Sequence, residues 1–181
     1  MLTIRQAHES DRDAMCDLYR SAILHHYTAT HGEEKARQWA AALDVEMCER
    51  WLASEMTIVA EESNSLLGFG QFDADTGDIA MCVLPEAEKR AIGSALLAVI
   101  ETEARTRGVD VLRLCALLNS ERLYMPSGFT GTGVGEIPLS NGMKLPCVCM
   151  EKRLVYTEPR PERRRTARVG AGVDLDGGAG G

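Results

Sequence analysis

Apolar positions along residues 1–155 follow two alternating rhythms. Leu2 to Gln6 reads as a short strand. Ser10 then offers a helix N-cap, with Asp13 three residues on as its capping-box partner. Met15, Leu18, Tyr19, Ala22 and Ile23 follow at the three- and four-residue spacing of an amphipathic helix. Histidines and Gly32 interrupt this pattern near residue 30. Two shorter helices are predicted over about 33–43 and 45–54, the first lined on one face by Ala36, Trp39, Ala40 and Leu43. From Met56 the period shifts to that of strands. MTIVAEE, LLGFGQFD and the continuously apolar IAMCVL (79–84) form an antiparallel meander with turns at SNS and at Asp75-Thr76-Gly77. Pro85 ends the third strand. A long helix follows from about Arg90 to Arg107, turning Ile92, Ala95, Leu96, Val99, Ile100 and Ala104 inward, with Gly108 as its C-cap. VDVLRLCAL (109–117) is a second buried strand, and the helical crossover makes it parallel to the one before. A short helix near 120–127 and strands over about 129–137 and 143–153 complete the series. The order β-α-α-α-β-β-β-α-β-α-β-β implies a mixed sheet of about seven strands with helices on both faces, an α/β fold in one domain over 1–155.

Beyond this domain, 156–181 is rich in Arg, Gly and Pro and nearly lacks large apolar residues. Such a composition predicts a disordered tail, because little surface could be buried to offset its ordering. The net charge of the whole chain is −7, and the tail, with five arginines against four acids, makes the remainder more acidic still. An acidic body argues against nucleic acid as a partner and is compatible with a cationic or amine substrate. No apolar run is long enough for a membrane span, and the start MLTIRQAHESDRD lacks the basic-then-apolar build of a secretory signal, so the expected location is the cytoplasm. The six cysteines form no CxxC pair, and none has the Cys–His spacing of a zinc site. They read as reduced thiols, with no metal expected.

The segment Val83-Leu84-Pro85-Glu86-Ala87-Glu88-Lys89-Arg90-Ala91-Ile92-Gly93-Ser94 carries the most chemistry. A buried strand ends, a short basic loop follows, and small residues open a long helix. Unpaired N–H groups and the positive end of the helix dipole suit a phosphate there, and small side chains at Ala91 and Gly93 let it approach. Further on stands Tyr124-Met125-Pro126-Ser127-Gly128-Phe129.

Together these residues resemble the GNAT superfamily of N-acetyltransferases. That superfamily carries V-x-P-x-x-[QR]-x-x-G-x-[GA], a long helix, a strand, and a short helix ending Y-x-x-x-G-F. The resemblance runs through most of 1–153, and the ending GMKLPCVCMEKRL is similar to the closing strand of many bacterial members. Two positions depart from the pattern. Glu88 stands at the Q/R position and is expected to face solvent, and Ala91 replaces the first glycine.

The resemblance implies a GNAT-type fold and acetyl transfer from acetyl-CoA, as co-substrate, to a small-molecule or peptide amine by direct attack in a ternary complex. It implies that backbone groups of Met81 and Val83 face the pantetheine and acetyl carbonyl. Backbone N–H groups of Arg90, Ala91, Ile92, Gly93 and Ser94 hold the pyrophosphate. Asn119 contacts the cofactor or, equally well, caps the next helix. Tyr124 is the general acid that protonates the CoA thiolate, with a packing aromatic as its alternative. His25, His26, Tyr27 and His31 stand where the family often builds an acceptor wall, or simply form a polar helix end. Asp73, Asp75 and Asp78 read as turn formers, and no base is named. A non-catalytic acyl-CoA-binding or regulatory module on the same fold is the alternative function. A homodimer stays open as the assembly.

Overall fold

The computed structural model describes residues 1–43 and 45–156. The expected tail therefore lies outside the described residues, apart from Tyr156. The strands are β1 (Thr3–Gln6), β2 (Met56–Glu62), β3 (Ser65–Phe72), β4 (Ile79–Val83), β5 (Val111–Leu117), β6 (Thr130–Pro138) and β7 (Lys144–Arg153). The helices are α1 (Arg12–His31), α2 (Glu33–Ala41), α3 (Val45–Leu52), α4 (Ile92–Thr106) and α5 (Glu121–Tyr124). Their order is the one read from the sequence.

Alternation along β2 and β3 divides the core in two. Val59 and Phe69 join Met15, Ile23, Tyr27 and Trp39 beneath α1 and α2. Ile58, Ala60 and Phe72 join Leu96 and Ile100 of α4 on the opposite face. Helix α4 sits close because β3 presents glycines to it. A Cβ on Gly70 would lie 2.9 Å from the Ile100 side chain, and one on Gly68 3.2 Å from that of Leu96.

The α/β class, strand count and two-faced helix cover agree with the sequence reading, but the strands form two sheets. One has the order β1-β2-β3-β4, the other β5-β7-β6, and all pairings within them are antiparallel. Among the described residues a single parallel bridge, between Asp78 and Arg113, joins them, where the Arg113 N–H donates to the Gly77 carbonyl at 2.9 Å. Past that bridge β4 and β5 part.

The entry into α1 also differs from expectation. Ser10 lies inside a 3-10 turn, Glu9–Asp11. Asp11 accepts the His8 N–H at 2.8 Å and takes both ends of the Arg5 guanidinium, at 2.7 and 2.9 Å, while Arg5 Nε reaches Glu61 at 2.8 Å. The Arg5 hydrogen bonds hold the Asp11 carboxyl below its ordinary range. The capping carboxylate thus holds the Arg5 guanidinium, which in turn ties β1 to Glu61 of β2.

The cysteines are not all free thiols as expected. Cys16 on the buried face of α1 is bonded to Cys48 on the buried face of α3, and the facing of these two helices brings them together. No helix among the described residues is long and apolar enough to cross a membrane.

Candidate active site

The parting of β4 and β5 opens a cavity of about 930 Å³, at the upper end of what small-molecule sites occupy. Met81 and Val83 line it from β4, and Tyr124 and Glu88 reach it from the segments that follow the two strands. Tyr124 closes the last turn of α5, packed edge-on against Phe129 with ring centroids 6.0 Å apart. Its hydroxyl donates to the Met81 carbonyl at 3.1 Å. A residue placed after β5 thereby reaches back across the gap to β4. Burial pushes the phenol above its ordinary range, with Cys82 and Glu88 adding to the shift, so it stays protonated at neutral pH.

The helix expected from Arg90 begins later. Pro85–Arg90 form a 3-10 turn, and Ala91 adopts φ 59°, ψ 13°, a left-handed conformation, as the N-cap of α4. The Ala95 N–H donates to the Ala91 carbonyl at 3.0 Å, so the N–H groups of Ile92, Gly93 and Ser94 have no partner within α4. A Cβ on Gly93 would meet only the Val83 and Met81 side chains, at 3.7 and 4.0 Å, which is ordinary contact. The protein itself does not require glycine there. The Arg90 guanidinium is shared with Glu62 of β2 at 2.5 Å.

Glu88 faces inward, and the expectation that it points to solvent is overturned. The 3-10 geometry of Pro85–Arg90 buries Ala87 and turns the Glu88 side chain, 16% exposed, toward His26 of α1. His26 Nε2 lies 3.4 Å from Glu88 Oε1. Burial, then the neighbouring His25 and Arg122, lowers the His26 pKa to about 4. His26 is therefore a neutral imidazole at neutral pH where it meets Glu88.

The remaining expected residues separate. His25 and His31 are exposed, and His31 packs on Trp39. Tyr27 is wholly buried; its hydroxyl donates to the Pro146 carbonyl and accepts the Leu118 N–H at 3.2 Å, pinning α1 to both β7 and the end of β5. Asn119 has φ 68°, and its side-chain amide donates to the His26 carbonyl at 3.2 Å. Asp73 shapes its turn, accepting N–H groups of Asp75 and Thr76 at 2.8 and 3.2 Å. Sequence reasoning missed Glu88 and His26 as a unit. The signal was the carboxylate at a position where the family has Gln or Arg.

Residues 27–154 match the model of the acetyltransferase (GNAT) domain family. No protein of curated function matches the chain in sequence. Solved structures do match. A GCN5-related N-acetyltransferase from Rhodopseudomonas palustris is 23% identical with a TM-score of 0.72, over 84% of this chain and 95% of that one. The PaiA N-acetyltransferase of Thermoplasma acidophilum, solved in complex with coenzyme A, is 17% identical with a TM-score of 0.67, over 85% and 99%. The yncA protein of Salmonella typhimurium, solved with its cofactor acetyl-CoA, is 24% identical with a TM-score of 0.56, over 90% and 99%.

Proposed function

The chain belongs to the GNAT acetyltransferase family, and from that premise we propose that it moves the acetyl group of acetyl-CoA to a primary amine by direct attack in a ternary complex. The observation that carries this reading is the Tyr124 hydroxyl, buried at the mouth of the β4–β5 gap and aimed across it at the Met81 carbonyl. Cofactor use is supported by the similar fold of proteins solved with coenzyme A and acetyl-CoA.

The thioester lies in the gap beside Met81 and Val83. The pyrophosphate lies on the N–H groups of Ile92, Gly93 and Ser94 at the start of α4, with Arg90 and Ala91 just before them, where the helix dipole favours negative charge. The amine enters from the side where Glu88 and His26 meet. Its nitrogen attacks the acetyl carbon, the carbon–sulfur bond breaks, and Tyr124 gives its proton to the departing thiolate. The proton lost by the amine passes to Glu88, directly or through one water, and the neutral His26 steadies that carboxylate. Tyr124 and Glu88 then return to their starting protonation through solvent.

The test is Tyr124→Phe. The ring and its packing on Phe129 survive, while the hydroxyl is lost. Single-turnover acetyl transfer should fall about a hundredfold to ten-thousandfold with coenzyme A affinity nearly unchanged. A wild-type rate in that variant makes Tyr124 a packing residue. The Arg90–Glu62 pair removes one charge from the phosphate site, which favours the second reading, an acyl-CoA-binding module. Tight acetyl-CoA binding without turnover across a broad amine panel would establish that alternative.

A further inference from the structure

Three of the four free cysteines converge on one face of the second sheet. The register of β5 and β7 sets Cys115 opposite Cys149. Cys147 lies two residues before Cys149 on the same strand, so it shares that face. The three sulfurs lie within 4.8 Å of one another. Cys147 is 1% exposed, while Cys115 and Cys149 line the cavity described above, so solvent reaches the group from one side.

The neighbouring strand leaves space for these sulfurs. Gly135 of β6 pairs with Cys147. A Cβ there would lie 2.7 Å from the Cys149 sulfur and 3.3 Å from that of Cys147. A side chain at this position would displace the sulfurs, whereas glycine leaves them gathered.

Three apolar thiols on a strand face usually act as small core residues. Two observations separate this group from that role. Two of its three cysteines line a cavity, and the gap left by Gly135 lets all three sulfurs gather within 4.8 Å of one another. The thiolate, not the thiol, is the metal ligand.

We propose that Cys115, Cys147 and Cys149 form a binding site for a thiophilic d10 cation, with Zn²⁺ as the ion it takes. Zinc–thiolate bonds of about 2.3 Å in a tetrahedron need sulfurs about 3.8 Å apart, inside the 4.8 Å within which the three now lie. An all-sulfur set selects zinc and softer ions over magnesium, calcium or manganese. Three protein ligands leave the fourth position to a water from the cavity. Binding displaces the thiol protons to solvent, so uptake strengthens as pH rises. The site is independent of the acetyl-transfer reading, because none of its ligands takes part in that chemistry.

The experiment uses the full chain, reduced with a phosphine so that no added thiol competes. Cobalt titration should give the intense near-ultraviolet thiolate-to-metal band, saturating at one ion per chain and abolished by one equivalent of zinc. Single changes Cys115→Ser, Cys147→Ser and Cys149→Ser should each weaken cobalt binding about 100-fold or more, since even outer-shell losses cost 10- to 100-fold. Cys82→Ser, at a buried free cysteine outside the trio, and Cys16→Ser/Cys48→Ser, which removes the two thiols that reduction frees, should each leave binding unchanged. Circular dichroism confirms that each variant is folded. Absence of the band in folded wild-type protein overturns the proposal. So does retention of the band in Cys147→Ser/Cys149→Ser, or an unreduced mass four hydrogens short, two beyond those lost to Cys16–Cys48, with a disulfide mapped within the trio in protein that takes up no metal after reduction.

Discussion

Replacing Ala91 by glycine distinguishes two descriptions of the start of α4 by the sign of a stability change. Ala91 holds φ 59°, where the methyl of an L-residue crowds the next carbonyl at a cost of about 1–2 kcal/mol. Glycine escapes that crowding but gives the unfolded chain more freedom, which returns about 0.4–1 kcal/mol. The net expectation is a gain of about 0.5–1 kcal/mol. A helix running from Arg90 would instead make residue 91 an ordinary helical position. Alanine to glycine there would cost about 0.5–1 kcal/mol. Urea denaturation of wild type, Ala91→Gly and Ala95→Gly is the assay, with Ala95 inside α4 as the control that must lose stability. In a domain of this size the gain corresponds to about 1–4 °C in Tm. A loss in Ala91→Gly comparable to that in Ala95→Gly would refute the left-handed conformation and the phosphate-site geometry that depends on it.

Gly93→Ala should separate fold from ligand: the helix gains up to about 1 kcal/mol, while coenzyme A affinity, read by calorimetry, falls at least about tenfold. Unchanged affinity would move the pyrophosphate elsewhere. His26 has a folded pKa of about 4, below its ordinary value of about 6.5. The unfolded state therefore binds more protons between these values, and stability is complete above about pH 6.5 and declines as pH falls toward 4. His26→Gln should remove about 2 kcal/mol of that decline, after discounting for residual solvent; urea midpoints at pH 4.5 and 7 that fall equally in both proteins would exclude His26 as the cause. Tyr27→Phe leaves the Pro146 carbonyl and Leu118 N–H without their hydroxyl partner and should cost about 1–3 kcal/mol in chemical denaturation. A neutral outcome would mean that water replaces the hydroxyl.

Much of the fold could be read locally. The three- and four-residue spacing from Met15 to Ile23, and the run IAMCVL ending at Pro85, each identify an element without reference to the rest of the chain. The motif residues around Gly93 and Tyr124 were legible because their order along the chain is enough to recognise them. What escaped depends on register and on short turns. Nothing in residues 85–90 distinguishes an open loop from a 3-10 turn, yet that turn decides whether Glu88 meets water or His26. The Cys115–Cys149 pairing joins residues 34 positions apart in a ladder, and Cys16–Cys48 joins two helix faces. Neither follows from Cys spacing, which encodes metal sites only when the ligands share one turn or hairpin. The division into two sheets was equally hidden, since strand order predicts adjacency but not how long adjacency lasts.

That division has a consequence for what can occupy the cleft. Past the Asp78–Arg113 bridge, β4 has no strand neighbour on its β5 side among the described residues. A naked strand edge usually invites another chain and is a hazard for aggregation. Here the edge lies inside the domain, walled by Tyr124 and the α4 entrance. Only a narrow, extended molecule carrying its own amide donors and acceptors can line up along it. The Tyr124 hydroxyl already occupies one of the edge carbonyls, that of Met81, as a placeholder that such a guest must share or release. On the proposed reading, the interrupted sheet selects its guest by shape and hydrogen-bond pattern before any side chain is consulted.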